Sequence, residues 1–264
     1  MERRTLAQTL SRLCYRALRQ AVRLCYPTIT LEGVENLPPG ACILAGNHCQ
    51  LHGPIIAELY VPGKRAIWCS AEMMHLREVP AYAYRDFWRG KPRRSRWLYR
   101  LLSYGIAPLS VCIFNNAHTI AVRRDGEVLA TFRQTLERLD EGCRVVIFPE
   151  GPEPHNAIVN RFQEGFADLA RLYRKRTGDP LPFVPMYVAP RLRKVYFGKP
   201  VFLDPALPRE EARSRLCAQL MDAVTEIAVG LPRHTVIPYA NVPKNAYPTN
   251  VPCEAEQAHE KASR

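Results

Sequence analysis

Two short stretches of the chain hold residues whose types and spacing could do chemistry. The first, Cys42–Ile55, reads CILAGNHCQLHGPI: an apolar run, Cys42–Ala45, stops at Gly46-Asn47-His48, and Gly53-Pro54 then opens a run of helical spacing. An apolar run stopped this way reads as a buried strand that delivers a histidine to its C-terminal mouth, where α/β sheets bind ligands. Imidazole titrates near neutral pH, so His48 is a candidate general base; the alternative is an Asn-His turn whose ring only caps a helix or backbone group. The second stretch, Arg144–Gly151, reads RVVIFPEG, another buried run ending in Pro-Glu-Gly. Glu150 stands beside a glycine that lets backbone approach a ligand closely. Two strands that each end in a polar constellation suggest one shared pocket.

With both stretches in view, the chain resembles the glycerolipid acyltransferases, the lysophosphatidic acid acyltransferase-like family. The family's first motif is Asn-His, four residues, then Asp, and its third is Phe-Pro-Glu-Gly. Here the first is half present, as Asn47-His48, and the third is complete, as Phe148-Pro149-Glu150-Gly151. Two weaker blocks fall in the family's order: Thr119–Arg124, a strand ending in arginines, and Phe183-Val184-Pro185-Met186, an apolar strand containing a proline. The resemblance covers 28–203. It implies transfer of an acyl group from acyl-CoA or acyl-carrier protein to a lysophospholipid or glycerol-phosphate hydroxyl, with no further cofactor and no metal. His48 would be catalytic, and Asn47, Gly53, Arg124, Glu150 and Gly151 would bind substrate.

The chain departs from this pattern at one telling position. Gly53 stands where the family has its aspartate, and glycine can neither orient an imidazole nor stabilise its cation. In the serine-protease triad, where an Asp plays this part, replacing it by Asn costs about four orders of magnitude in rate. Glu58, Asp86 and Asp125 are candidate surrogates, and Glu150 could turn to the task. A protein that kept the pocket, lost the relay and only binds lipid is the alternative. His52 and His155 are read as structural rather than catalytic.

The elements that must position these residues read as one α/β domain over 27–231: a mixed, largely parallel sheet with helices on both sides. Expected strands are Thr28–Leu31, Cys42–Ala45, Arg65–Ser70, Thr119–Val122, Val145–Phe148, Pro182–Val188, Arg191–Phe197 and Pro200–Leu203. Expected helices are Gly53–Tyr60, much of Ala71–Gly105, Glu127–Leu139, Phe162–Arg176 and Pro208–Leu231. The first of these would aim free N–H groups at the His48 pocket, where a phosphate or oxyanion could sit. Ile106–Phe114 reads as a loop or helix over an acyl site. Proline becomes frequent from Pro232, so 232–264 is expected to be an extended arm with a disordered tail from Cys253.

Residues 1–26 form a predicted amphipathic helix, with Leu6, Leu10, Leu13, Ala17, Ala21 and Leu24 on one face and Arg12, Arg16, Arg19 and Arg23 beside them. Such a helix can lie in a lipid interface against anionic head groups, or it can pack on the domain with a solvated basic face. A second basic cluster, Arg89, Lys91, Arg93, Arg94, Arg96 and Arg100, is interleaved with Tyr82, Tyr84, Phe87, Trp88, Trp97 and Tyr99. It reads first as a solvated face and next as a membrane shelf. Nucleic acid is not expected, since no RNA-binding signature accompanies it.

Composition agrees with this class. With 37 Lys+Arg against 25 Asp+Glu, the formal charge of +12 favours anionic surfaces. No apolar run reaches the 18 or so residues that would span a bilayer, and no signal-peptide pattern opens the chain. Nine scattered cysteines, an odd number without Cys-x-x-Cys spacing, read as reduced small hydrophobes. The expected location is cytoplasmic, peripheral at the inner face of a membrane.

Overall fold

The computed structural model describes residues 2–88, 92–123 and 128–251. In chain order its first elements are α1 (Glu2–Cys25), β1 (Thr30–Glu32), β2 (Cys42–Gly46), α2 (His52–Tyr60), β3 (Arg65–Ser70), α3 (Val79–Ala83), α4 (Arg96–Asn116) and β4 (Thr119–Val122). Then come α5 (Val128–Asp140), β5 (Arg144–Ile147), β6 (Glu150–Pro154), β7 (Asn160–Phe162), α6 (Asp168–Thr177), β8 (Phe183–Ala189), β9 (Lys194–Phe197) and α7 (Arg209–Val229). The chain gathers into two compact units, one of residues 1–27 and 65–137, the other of 28–64 and 138–264.

The second unit carries both chemical stretches. Its strands run in the order β1-β9-β8-β2-β5. Only the β8–β9 pairing is antiparallel, and the other three are parallel. Every residue of β2 and β8 is buried, as their unbroken apolar sequences require of strands covered on both faces. The register sets Ala45 beside Ile147 on one side and Pro185 on the other. The strands carrying the two stretches are therefore neighbours whose C-terminal ends lie side by side. Helix α7 buries Ala212, Leu216, Leu220 and Val224 at helical spacing.

Two expectations change here, and the expected arm gains its anchors. The carboxylate of the second stretch does not simply cap a strand mouth: Glu150 opens β6, which pairs antiparallel with β7. The turn between them is made by Asn156, whose Oδ1 accepts the Ile158 and Val159 N–H groups at 2.8 and 2.9 Å. The predicted helix from Phe162 therefore starts later, at Asp168, because Phe162 belongs to β7 and Glu164–Ala167 is a 3-10 turn. The proline-rich arm is pinned. Thr235 bridges Thr249, the Val236 N–H reaches the Pro248 carbonyl at 2.8 Å, and the Asn250 amide donates to the carbonyls of Ala228 and Leu231. The tail from Cys253 lies outside the described residues.

The first unit holds the parallel pair β3–β4 with α1, α3, α4 and the start of α5. A long helix over 71–105 is not what forms: Ala71–Met74 is a 3-10 turn, α3 is five residues, and Tyr84–Trp88 is one π turn. Instead α4 runs unbroken through the expected 105/106 boundary and past Pro108. It buries the small residues Ser103, Ala107 and Ser110 along one stripe, and the Ser110 hydroxyl donates to the Met73 carbonyl at 2.8 Å. Its other faces leave Trp97, Leu101 and Tyr104 more than 60% exposed. The expectation of no membrane-length segment also changes: among the described residues, Arg93–Asn116 is long and apolar enough to cross a membrane, by length and composition. Serines and a proline interrupt its apolar letters, so no single run reveals it. Helix α1 meets α4 through Ser11, which accepts from the Asn116 amide at 2.7 Å; Tyr15 is buried, while Leu10, Leu13 and Leu24 are exposed.

Candidate active site

At the end of β2 the chain makes a turn that few residues adopt willingly. Cys49 and Gln50 both have left-handed backbone, φ 48° and 56°, and neither is glycine. Such strain costs about 1–3 kcal/mol per residue and persists only where the surroundings over-determine it. The surroundings here do so. Asn47 is buried, and its side-chain oxygen accepts the Val188 N–H at 2.7 Å while its amide donates to the Val188 carbonyl at 3.1 Å and to Cys49 Sγ at 2.9 Å. Expected to face substrate, the Asn47 amide is instead occupied in bolting the turn to β8. Cys49 donates its thiol to the same Val188 carbonyl, and burial raises its pKa well above the ordinary thiol range, which removes it as a nucleophile.

Glu150 is the second brace. It is 4% exposed. One carboxylate oxygen accepts the backbone N–H of His48, and the other accepts the Asn160 N–H at 2.8 Å. The third motif thus holds the first by its main chain, without touching the imidazole. Burial pushes the Glu150 carboxyl up to about 7, against the two N–H groups that favour its charged form.

His48 itself is partly exposed, and its ring lies between Phe148, 5.2 Å away at 66°, and Tyr239, 5.8 Å away at 90°. Burial lowers its pKa, a backbone interaction with Gln50 opposing that in part, so the site favours the neutral ring. Its Nδ1 is buried without a hydrogen-bond partner. A neutral imidazole can accept a proton, yet no carboxylate among the described residues bonds to its Nδ1. Of the surrogates considered, Asp86 pairs with Arg85 in the other unit, Glu58 lies on α2, and Asp125 lies outside the described residues.

Gly53 explains why no aspartate stands there. A Cβ at this position would lie 2.4 Å from the His48 carbonyl oxygen and 2.9 Å from Phe148 Cε1. The first turn of α2 packs directly on the His48 turn, and only glycine permits that approach. The same closeness overturns the expected N–H donors. The Gly53 N–H bonds to the His48 carbonyl at 3.1 Å, the His52 N–H to the Cys49 carbonyl at 3.0 Å, and residue 54 is proline. The start of α2 is closed upon the turn, so Gly53 offers no donor to an oxyanion.

Arg124 lies outside the described residues. Its neighbour Arg123, in the other unit, approaches His75 Nε2 at 3.2 Å. Gly151 is buried in β6, where a Cβ would meet the Arg161 carbonyl at 3.3 Å. His155 stands 3.8 Å from Asp222, and among the described residues no cluster of three or more His, Cys, Asp or Glu side chains could hold a metal ion. Sequence reasoning missed Tyr239, which lies almost 200 residues from His48 in a stretch with no periodic signal.

Comparison with known proteins bears on what this geometry is for. Residues 93–189 match the family model described as Acyltransferase. Over this segment the chain is similar to that family. The matched acyltransferase segment takes in Glu150, Gly151 and the Phe183–Met186 strand, and it begins beyond His48. Among solved structures, the crystal structure of the 1-acyl-sn-glycerophosphate (LPA) acyltransferase, PlsC, from Thermotoga maritima is similar, with 16% identity, 83% of this chain and 79% of that chain covered, and a TM-score of 0.41. No curated protein matches the chain in sequence.

Proposed function

We propose that this protein moves a fatty acyl group from the thioester of acyl-CoA or acyl-carrier protein to a hydroxyl of a lysophospholipid or glycerol phosphate, in phospholipid synthesis. The observation that carries the reading is the bond from the His48 main chain to the Glu150 carboxylate, which joins the two chemical stretches in one strained, braced site. Neutral His48 takes the hydroxyl proton as the alcohol oxygen attacks the thioester carbonyl. The tetrahedral intermediate collapses, the carbon–sulfur bond breaks, and the imidazolium returns its proton to the leaving thiolate. No metal or cofactor beyond the acyl donor enters these steps. Holding both substrates together supplies much of the rate. Arg124 remains the candidate for the acceptor's phosphate, because an arginine fork suits a phosphate dianion.

The setting we propose is an anionic membrane surface on the cytoplasmic side. The exposed leucines of α1, with Arg12, Arg16 and Arg23 among them, and the exposed Trp97, Leu101 and Tyr104 of α4, with Arg93, Arg94, Arg96 and Arg100 beside them, support this. Aromatic and aliphatic side chains enter the interface while arginines meet head groups.

One observation favours a second reading, a lipid-binding protein that no longer catalyses: the unpartnered His48 Nδ1 with no room for an aspartate at Gly53. The deciding experiment compares purified protein with His48→Ala, offering lysophosphatidic acid and other lysophospholipids with acyl-CoA or acyl-carrier protein. Transfer that disappears in the variant supports the enzyme. Lipid binding at this site without turnover in either protein supports the second reading.

A further inference from the structure

The C-terminal arm closes a loop over the His48 turn. It is anchored at both ends, by the Thr235–Thr249 bridge and by the Val236 N–H on the Pro248 carbonyl at 2.8 Å. A buried His234, bonded at 2.8 Å to the Tyr187 hydroxyl of β8, ties the same end to the sheet. Between these anchors the loop grips the strained turn: the Gln50 amide donates to the Tyr247 hydroxyl at 3.0 Å and to the Ala240 carbonyl at 3.3 Å. Next to Ala240, Tyr239 meets the His48 imidazole edge-on. Phe148 meets the ring from a second direction, and its Cε1 lies in the space a side chain at position 53 would need.

An imidazole acting as base must be held within a narrow range of orientation, and misplacement by about 1 Å costs about 100-fold in rate. A hydrogen-bonded carboxylate is one way to hold it. Here Nδ1 has no such partner, while two aromatic rings confine the imidazole plane. We infer that Tyr239, presented by the arm, is a positioning residue that holds the His48 imidazole in its working orientation by packing, in place of a hydrogen-bonded aspartate. The inference rests on the acyl-transfer reading of the site for its consequence, but the ring's confinement can be measured without it. It also gives the Gln50 tether a role: a loose arm would carry Tyr239 away from the ring.

The test uses the full chain with Tyr239→Phe, Tyr239→Leu and Tyr239→Ala. Two readouts are taken: steady-state acyl transfer from acyl-CoA to lysophosphatidic acid, and the ring 15N–1H NMR signals of His48, assigned by their loss in His48→Ala. The expected result is a kcat within about twofold of the parent for Phe and about 10–100-fold lower for Ala, with Leu between, at an unchanged KM for the donor. The His48 ring signals stay sharp and in one tautomer in the parent and Phe, and broaden or average in Ala and Leu. A merely structural Tyr239 would lower the folded fraction and leave kcat per folded molecule and the ring signals as they were; that result overturns the proposal. Should the parent show no acyl transfer at all, the functional reading fails, and the NMR comparison alone decides: ring signals that depend on an aromatic side chain at 239 uphold the positioning role, and signals indifferent to it refute it.

Discussion

Introducing an aspartate by Gly53→Asp, where the resembled motif carries one, is the most direct test of how this site is built. Motif logic says that the carboxylate would orient His48 and raise activity, by up to about four orders of magnitude if the serine-protease relay is a guide. The structure predicts the opposite. The new Cβ would lie 2.4 Å from the His48 carbonyl oxygen, below the 3.0 Å that real contacts respect, so the turn must retreat by more than half an ångström. That carbonyl already accepts the Gly53 N–H, and the turn is strained and bolted to β8 through Asn47. Overpacking of this kind costs about 1–3 kcal/mol, which lowers Tm by about 2–4 °C for each kcal/mol in a chain of this size. The displaced imidazole would lose activity besides. Gly53→Ala is the control, since it carries the same Cβ without the charge. Both variants should melt earlier than the parent, and neither should turn over faster. Adding Phe148→Ala removes only the 2.9 Å contact and leaves the backbone clash, so the double variant should not recover. The assay is thermal unfolding alongside acyl transfer at saturating donor. A Gly53→Asp protein that melts with the parent and turns over faster would refute the reasoning, for it would show that the turn has room to accept a relay carboxylate.

The remaining predictions follow from the braces and the charges. His48→Ala should lower kcat by about 10²–10⁴-fold with little change in Tm, as expected for removal of a general base. Because burial lowers the His48 pKa, the acid limb of the kcat/KM profile should fall below the ordinary 6.5; a limb at or above that value would contradict the placement of the ring. Glu150 has its carboxyl raised from 4.5 to about 7, so the folded protein binds its proton more tightly than the unfolded chain between those values. Stability from this group is therefore present at low pH and lost as pH rises through about 7, on the order of 3 kcal/mol. Urea unfolding at pH 5 and pH 8 should show this loss in the parent and not in Glu150→Gln. Asn47→Ala strips buried bonds from Val188 and should cost about 1–3 kcal/mol, read from the same unfolding curves. Replacing Trp97 and Leu101 by glutamate should weaken sedimentation with vesicles containing anionic lipid, while uncharged vesicles bind the parent less well.

How far the sequence reaches can be judged residue by residue. Local pattern determined the strands Cys42–Gly46, Arg65–Ser70, Thr119–Val122 and Phe183–Ala189, because a buried strand is an apolar run that turn residues interrupt. It also marked His48 and Glu150 as candidate chemical positions, since each polar group closely follows such a run. Local pattern failed where partners distant in the chain decide. Whether Glu150 addresses the imidazole or the main chain of His48 depends on a hairpin, β6–β7, whose strands are too short and too polar to announce themselves. The N–H groups of α2 looked available because a helix start leaves donors open, and only the fold reveals that the turn before the helix takes them. Tertiary structure alone made the position of Gly53 intelligible. As a letter in the sequence it only differs from the aspartate of the resembled motif; in three dimensions it is the residue that lets a helix close on the histidine turn. Tyr239 makes the same point in reverse: nothing near it in the chain marks it, and it is brought to the imidazole by an arm whose hydrogen bonds run to Gln50, some 190 residues earlier.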